Sequence, residues 1–149
     1  MLLGHNFDSV SGHEGSCSRG IERMNNGTWL FLLEYLRAAE LDPLDCFFTN
    51  ALVGLQPLKA EGAMYAVDAF YQECRVFLKK QINIVRPRLI VALGQKAIEE
   101  LNFVRTDVPS IQLMHPGALL YIKSSERGAY IARQGTQLKI ALLERTMSK

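Results

Sequence analysis

The sequence predicts a three-layer α/β/α domain built on a mainly parallel sheet of about four strands. Three observations carry this expectation. Strand-like and helix-like segments alternate along the chain. The stretch RLIVALG at 88–94 holds a continuous apolar run, the mark of a strand buried on both faces. And the chemistry-bearing residues fall just past the strand ends, where sheets of this kind bind their ligands.

MLLG at 1–4 reads as a clipped first strand ending at Gly4. Three residues make a poor central strand, since strands usually run about 5–6 residues, so a truncated strand or a late start is expected here. Residues 5–26 contain Gly12, Gly15 and Gly20, show no clear period and read as a long loop. TWLFLLEYLRAAE at 28–40 has helical spacing with Thr28 as N-cap. DCFFTN at 45–50 is a short aromatic-rich strand, and 51–64 is a second loop broken by Gly54, Pro57 and Gly62. Residues 66–85 place Val67, Phe70, Cys74, Phe77, Leu78 and Ile82 on one helical stripe, which Arg86-Pro87 stops. After the 88–94 strand come a short helix at 95–102, a strand at 110–117 ending in His115-Pro116, and a helix from about Glu126 to Met147. No repeat, low-complexity tract or domain boundary interrupts residues 1–149, so a single domain is expected.

Composition narrows the function classes. Apolar residues make up 48% and charged residues 21% of the 149 residues, ordinary for a soluble globular chain. No apolar run approaches the ~20 residues that span a bilayer, and nothing resembles a signal peptide, so no membrane role is expected. Cys17, Cys46 and Cys74 are an odd, widely spaced set without a CxxC pair. That pattern suggests a reducing, cytoplasmic compartment and argues against a disulfide framework or zinc ribbon. Net charge is +2, but it is unevenly spread: residues 1–74 hold 4 Lys/Arg and 10 Asp/Glu, residues 75–149 hold 13 and 5. The basic second half permits an anionic ligand; two solvated faces of opposite sign explain it equally well.

Four strand ends deliver specific material: Gly4-His5-Asn6-Phe7-Asp8, then Thr49-Asn50, then Gly94-Gln95, then His115-Pro116-Gly117. In a parallel sheet these converge on one edge and define a site before any family is considered.

The same residues resemble a family. GHNFD after the first strand, FFTNALVGLQP at the second, C-x3-L-x2-Q-x4-RPRLIVALG-x2-A in the middle and MHPGALL at the fourth are similar to the uracil-DNA glycosylase superfamily, closest to its compact, thermostable-type branch. The likeness covers roughly residues 2–122. It implies a DNA glycosylase that hydrolyses the bond between deoxyribose and a flipped-out uracil, or a related deaminated base. Its partner would be DNA containing uracil or a damaged base, and a monomer is expected.

Residue by residue, the resemblance implies these roles. Asn6 falls where the family holds its water-positioning residue, with His5 and Asp8 as reserves. His115 matches the histidine that donates to the base carbonyl as negative charge develops. Asn50 matches the asparagine that reads the uracil edge, its amide offering both a donor and an acceptor. Phe7 is the first choice for stacking on the base, and Trp29 the second. Pro116 and Gly117 would shape the loop that presses on the DNA backbone. Leu119 or Leu120 would be the wedge, with Lys123 and Arg127 in the DNA-facing stretch at 118–128. Each residue also has a structural alternative: an Asn bonded to its own loop, a strand-end histidine cap, a core aromatic.

The chain departs from the family pattern at Phe7-Asp8, where Pro-Gly or Pro-Tyr is common, and at His115-Pro116-Gly117, where Pro-Ser or Pro-Ala is commoner. The thermostable branch binds an iron–sulfur cluster through four cysteines. Here only Cys74 sits at a matching place and Gly54 stands where another ligand would be, so no cofactor or metal is expected. Two other readings compete: a non-catalytic nucleic-acid or nucleobase binding module of the same fold, and a small α/β domain binding a nucleotide or phosphate. The last lacks both GxGxxG and GxxxxGK[ST].

Overall fold

Four parallel strands form one sheet in the computed structural model: β1 (Leu2–Gly4), β2 (Phe48–Asn50), β3 (Ile90–Leu93) and β4 (Ser110–Leu113), in the order β2-β1-β3-β4. The structure describes residues 1–6, 10–20, 27–53 and 64–147. Among the described residues there are five α-helices: α1 (Val10–Arg19), α2 (Gly27–Ala38), α3 (Met64–Val85), α4 (Gln95–Val104) and α5 (Ser124–Met147).

A strand of only three residues is central. β1 pairs with β2 on one side and β3 on the other. Its flanks extend the ladder, since Leu2 N donates to Phe47 O at 2.8 Å and Val91 N to Met1 O at 2.8 Å. Leu2 and Leu3 are 3% and 0% exposed. Burying each such side chain contributes roughly 1.5–3 kcal/mol, which lets three residues hold a central position.

Side-chain alternation splits the core into two layers. Leu2, Val91, Leu93 and Leu113 face one way, against Leu32, Tyr35 and Leu36 of α2 and Leu138 of α5. Leu3, Ile90 and Ala92 face the other way, against Leu78 and Ile82 of α3 and Ala97 and Leu101 of α4. Both faces of β3 are therefore buried, which is why its sequence is apolar without alternation. On the first face, α2 and α5 approach closely: a β-carbon on Gly135 would overlap Ala38. On the second, Arg75 of α3 donates twice to Glu100 of α4, Nε to Oε2 at 2.7 Å and Nη2 to Oε1 at 3.2 Å. The same guanidinium lies 3.9 Å from the Phe103 ring centre.

Several sequence expectations change. The stretch expected as loop from 5 to 26 contains α1, which ends at Gly20 in the left-handed region (φ 67°), its amide bonded to Cys17 O. Glycines there suggested a loop, yet Gly20 acts as a helix stop. α2 starts at Gly27, so Thr28 lies inside its first turn and is not the cap. Phe77 leaves the expected apolar stripe and is 46% exposed, while Cys74, Leu78 and Ile82, spaced by four, are buried. Residues 43–45 form a 3-10 turn before β2, capped by Asp42 Oδ1 on Leu44 N at 2.9 Å. The strand expected over 110–117 stops at Leu113, because Pro116–Tyr121 wind into another 3-10 turn.

Candidate functional site

The parallel register brings Gly4 beside Asn50. Past that pair, Ala51 N donates to Gly4 O at 2.9 Å and Leu52 N to His5 O at 2.8 Å, so the segments leaving β1 and β2 stay bound to each other. The Asn50 amide oxygen lies over Gly4 where any β-carbon would be. Glycine is required there by close approach, and its absence of a side chain makes the seat for Asn50. One residue back, Thr49 Oγ1 donates to Gln81 Oε1 at 3.1 Å, tying β2 to α3.

On the other side of β1, Gly94 ends β3 with φ 94°, a conformation L side chains rarely adopt. A β-carbon here would come within 3.0 Å of His115 Cβ. Gly94 N donates to Leu113 O at 2.8 Å, which aligns the ends of β3 and β4. Met114 N donates to Oε1 of Gln134, a buried side chain on α5, at 2.7 Å. His115 then caps the 3-10 turn, its Nδ1 accepting from Gly117 N at 3.1 Å. An accepting Nδ1 carries no proton, so the neutral ring is the Nε2–H tautomer and offers that N–H as a donor.

Electrostatics keeps the ring neutral. His115 has an exposed edge, yet the surrounding protein desolvates it enough to lower its pKa below 6.5, and nearby His5 lowers it further. The His5 pKa is also lowered, first by burial and next by Lys96, against a hydrogen bond with the Asn6 side chain. The contribution of Asn6 favours the protonated ring, but burial and Lys96 outweigh it. Asn6 itself is exposed.

His5, Asn6, Asn50, Gly94 and His115 thus gather at the carboxyl ends of β1, β2, β3 and β4. Phe7 and Asp8 lie outside the described residues. Pro116 is fully buried and Gly117 half-buried, both holding the turn. Leu119 requires correction: it is 0% exposed and belongs to the core, so the side chain cannot reach DNA as a wedge. Leu120 and Tyr121 are 50% and 92% exposed. Arg127 donates to Ile122 O at 3.0 Å and Leu120 O at 3.3 Å and lies 5.6 Å from the Phe31 ring centre, so it braces the turn. Lys123 is exposed just before α5. Trp29 packs edge-on against Phe48, ring centres 5.3 Å apart, beside the core. Sequence reasoning missed Gln134 and Tyr121; a lone glutamine on the apolar stripe of α5 was the available signal for the first.

Three cysteines, on α1, after a 3-10 turn and on α3, cannot supply the four ligands of an iron–sulfur cluster. Among the described residues, no three His, Cys, Asp or Glu side chains gather as a metal site.

The family model of the uracil DNA glycosylase superfamily matches residues 21–139. The chain belongs to the uracil DNA glycosylase superfamily. No curated protein matches it. The superfamily match takes in Asn50, Gly94, Gln134 and the whole His115–Tyr121 turn, and it begins after His5 and Asn6. Superfamily membership implies DNA binding, and among the described residues no helix is long and apolar enough to cross a membrane.

Proposed function

We propose that this superfamily member hydrolyses the N-glycosidic bond of uracil, or a related deaminated base, in DNA. The observation that carries this is the Gly117 N–H on His115 Nδ1, which leaves a neutral Nε2–H donor at the same carboxyl edge of the sheet as the Asn50 amide. A flipped uracil needs that pair. Asn50 donates to O4 and accepts from N3–H, the pattern cytosine lacks. His115 donates to O2 as the bond to deoxyribose breaks and its electron pair moves onto the base. A cation of oxocarbenium character then draws in water. The Asn6 amide oxygen orients that water, whose oxygen bonds to the sugar carbon and whose proton leaves to solvent. Asn6 is no base; the charge of the sugar does most of the activation. Leu120 and Tyr121 are the exposed apolar side chains suited to fill the gap left by the flipped base.

The test is incubation of the protein with uracil-containing single- and double-stranded oligonucleotides, followed by alkali to cut abasic sites. Cleavage at uracil supports the proposal. A folded protein that yields no abasic product from either substrate overturns it. The amide at Asn6, which has no basic lone pair to deprotonate water, favours one alternative, a DNA-binding module without catalysis. That reading expects salt-dependent DNA affinity with no product.

A further inference from the structure

The strand-end site leaves the basic second half of the chain largely unused. Part of that charge collects at the opposite pole. There the lining of a surface groove of about 710 Å³ includes Asn83, Arg86, Arg88, Thr106, Asp107 and Arg145. Its three arginines come from three places: Arg86 from the end of α3, Arg88 from the lead into β3, and Arg145 from the last turn of α5. All three are exposed, and among the described residues none forms an ion pair.

We propose that this groove is a second nucleic-acid contact, taking the phosphate backbone of a DNA segment other than the one in the strand-end site. The charge balance favours an anion. The C-terminal ends of α3, α4 and α5 bring about −0.5 each to this pole, and Asp107 is the one acid in the lining. Three guanidinium charges exceed that sum. Capping a helix end explains Arg86 or Arg145 singly, but not Arg88 or their meeting in one groove. Arginine forks match phosphate oxygens in pairs, and Asn83 and Thr106 add neutral hydrogen-bonding groups. A protein partner would need an apolar anchor at the centre, and none of the large exposed apolar side chains lines the groove. The groove precedes β3 and β4 while the candidate site follows them, so a duplex laid across one leaves the other free. The inference rests on DNA being the substrate of the strand-end site.

The test uses the full chain and a fluorescein-labelled duplex without uracil. Binding is followed by anisotropy across salt concentrations, in the native protein, in Arg88→Gln/Arg145→Gln and in Arg37→Gln/Lys139→Gln, which removes the same charge elsewhere. Losing two phosphate contacts lowers the slope of log affinity against log salt by about 1.8, at roughly 0.9 per contact. The groove variant is expected to show that loss, and the control to keep the native slope. Excision of uracil from a short single strand, measured in parallel, is expected to stay unchanged in the groove variant. An unchanged slope in the groove variant, or an equal loss in the control, overturns the proposal. So does poly-glutamate binding that the groove variant abolishes while duplex binding is untouched, which would assign the groove to an acidic protein. Absence of excision in the native protein is a separate result: it removes the proposed activity, while the slopes still decide the groove.

Discussion

Gly117 N–H donates to His115 Nδ1 at 3.1 Å, and this one bond determines which nitrogen of the ring carries the proton. A peptide N–H can only donate, so Nδ1 must accept. The free donor is therefore Nε2–H, and it is produced by a backbone group that no side-chain substitution elsewhere can replace. His115→Ala is expected to lower uracil excision about 100- to 1000-fold, the usual cost of losing one donor to a developing anion. Gly117→Ala brings a β-carbon within 3.0 Å of Nδ1, tilts the ring, and is expected to cost roughly tenfold. Single-turnover rates measure both, and native rates in His115→Ala would remove the assigned role.

The lowered pKa values of His115 and His5 set a pH dependence. Excision is expected to be flat through neutrality and to fall with a midpoint below 6.5, where His115 takes its proton. Stability has the same sign. As pH drops below 6.5 the unfolded chain binds protons at these histidines before the folded one does, so stability declines through the folded pKa values and levels off beneath them. Urea midpoints across this range measure it. The His5→Gln/His115→Gln variant should lose that part of the decline, and an unchanged decline would refute the assignment.

Gly4→Ala places a β-carbon on the Asn50 amide oxygen. Overpacking of this kind typically costs about 1–3 kcal/mol, and here the displaced group is the one proposed to read the base. Excision is expected to drop with a raised KM for uracil-containing DNA. A variant with native KM and native denaturation midpoint would show that Asn50 relaxes freely.

Gln134→Leu removes the acceptor for Met114 N at a buried position. An unpaired buried N–H costs about 1–3 kcal/mol. Because Met114 precedes His115, kcat should fall while KM stays close to native, and Gln134→Glu, which keeps an acceptor, should restore part of the rate. Equal loss in both variants would mark Gln134 as structural only.

Glu100→Ala leaves Arg75 mostly buried between Tyr71, Phe103 and α4 without its carboxylate. Breaking one side of such a pair costs about 3 kcal/mol, to be read as a lower urea midpoint. Replacing both as Arg75→Met/Glu100→Leu should recover most of it, since an apolar pair of similar volume needs no desolvation.

The three-layer architecture was legible because a continuous apolar run and apolar stripes of period 3.6 report burial directly. The 88–94 strand and the stop at Arg86-Pro87 needed no tertiary information. The boundaries around glycines were not legible: a glycine permits a loop, a helix stop or a close approach, and the chain alone does not distinguish Gly20, which ends α1, from Gly4, which seats Asn50. Leu119 and Leu120 are identical in chemistry and adjacent, yet one is core and the other exposed. Only the 3-10 winding of that turn separates them.

The sequence by itself determined that four strand ends carry His5-Asn6, Asn50, Gly94 and His115, because a parallel sheet sends every carboxyl end to the same edge. Tertiary structure decided what those residues can do. The proton position on His115, the seat of Asn50 on Gly4 and the grip of Gln134 on Met114 each depend on one close contact between groups distant in the chain or turned toward each other by a local winding. Hydrogen bonds depend on distance and direction within tenths of an ångström, and residue order does not encode those until the chain has folded.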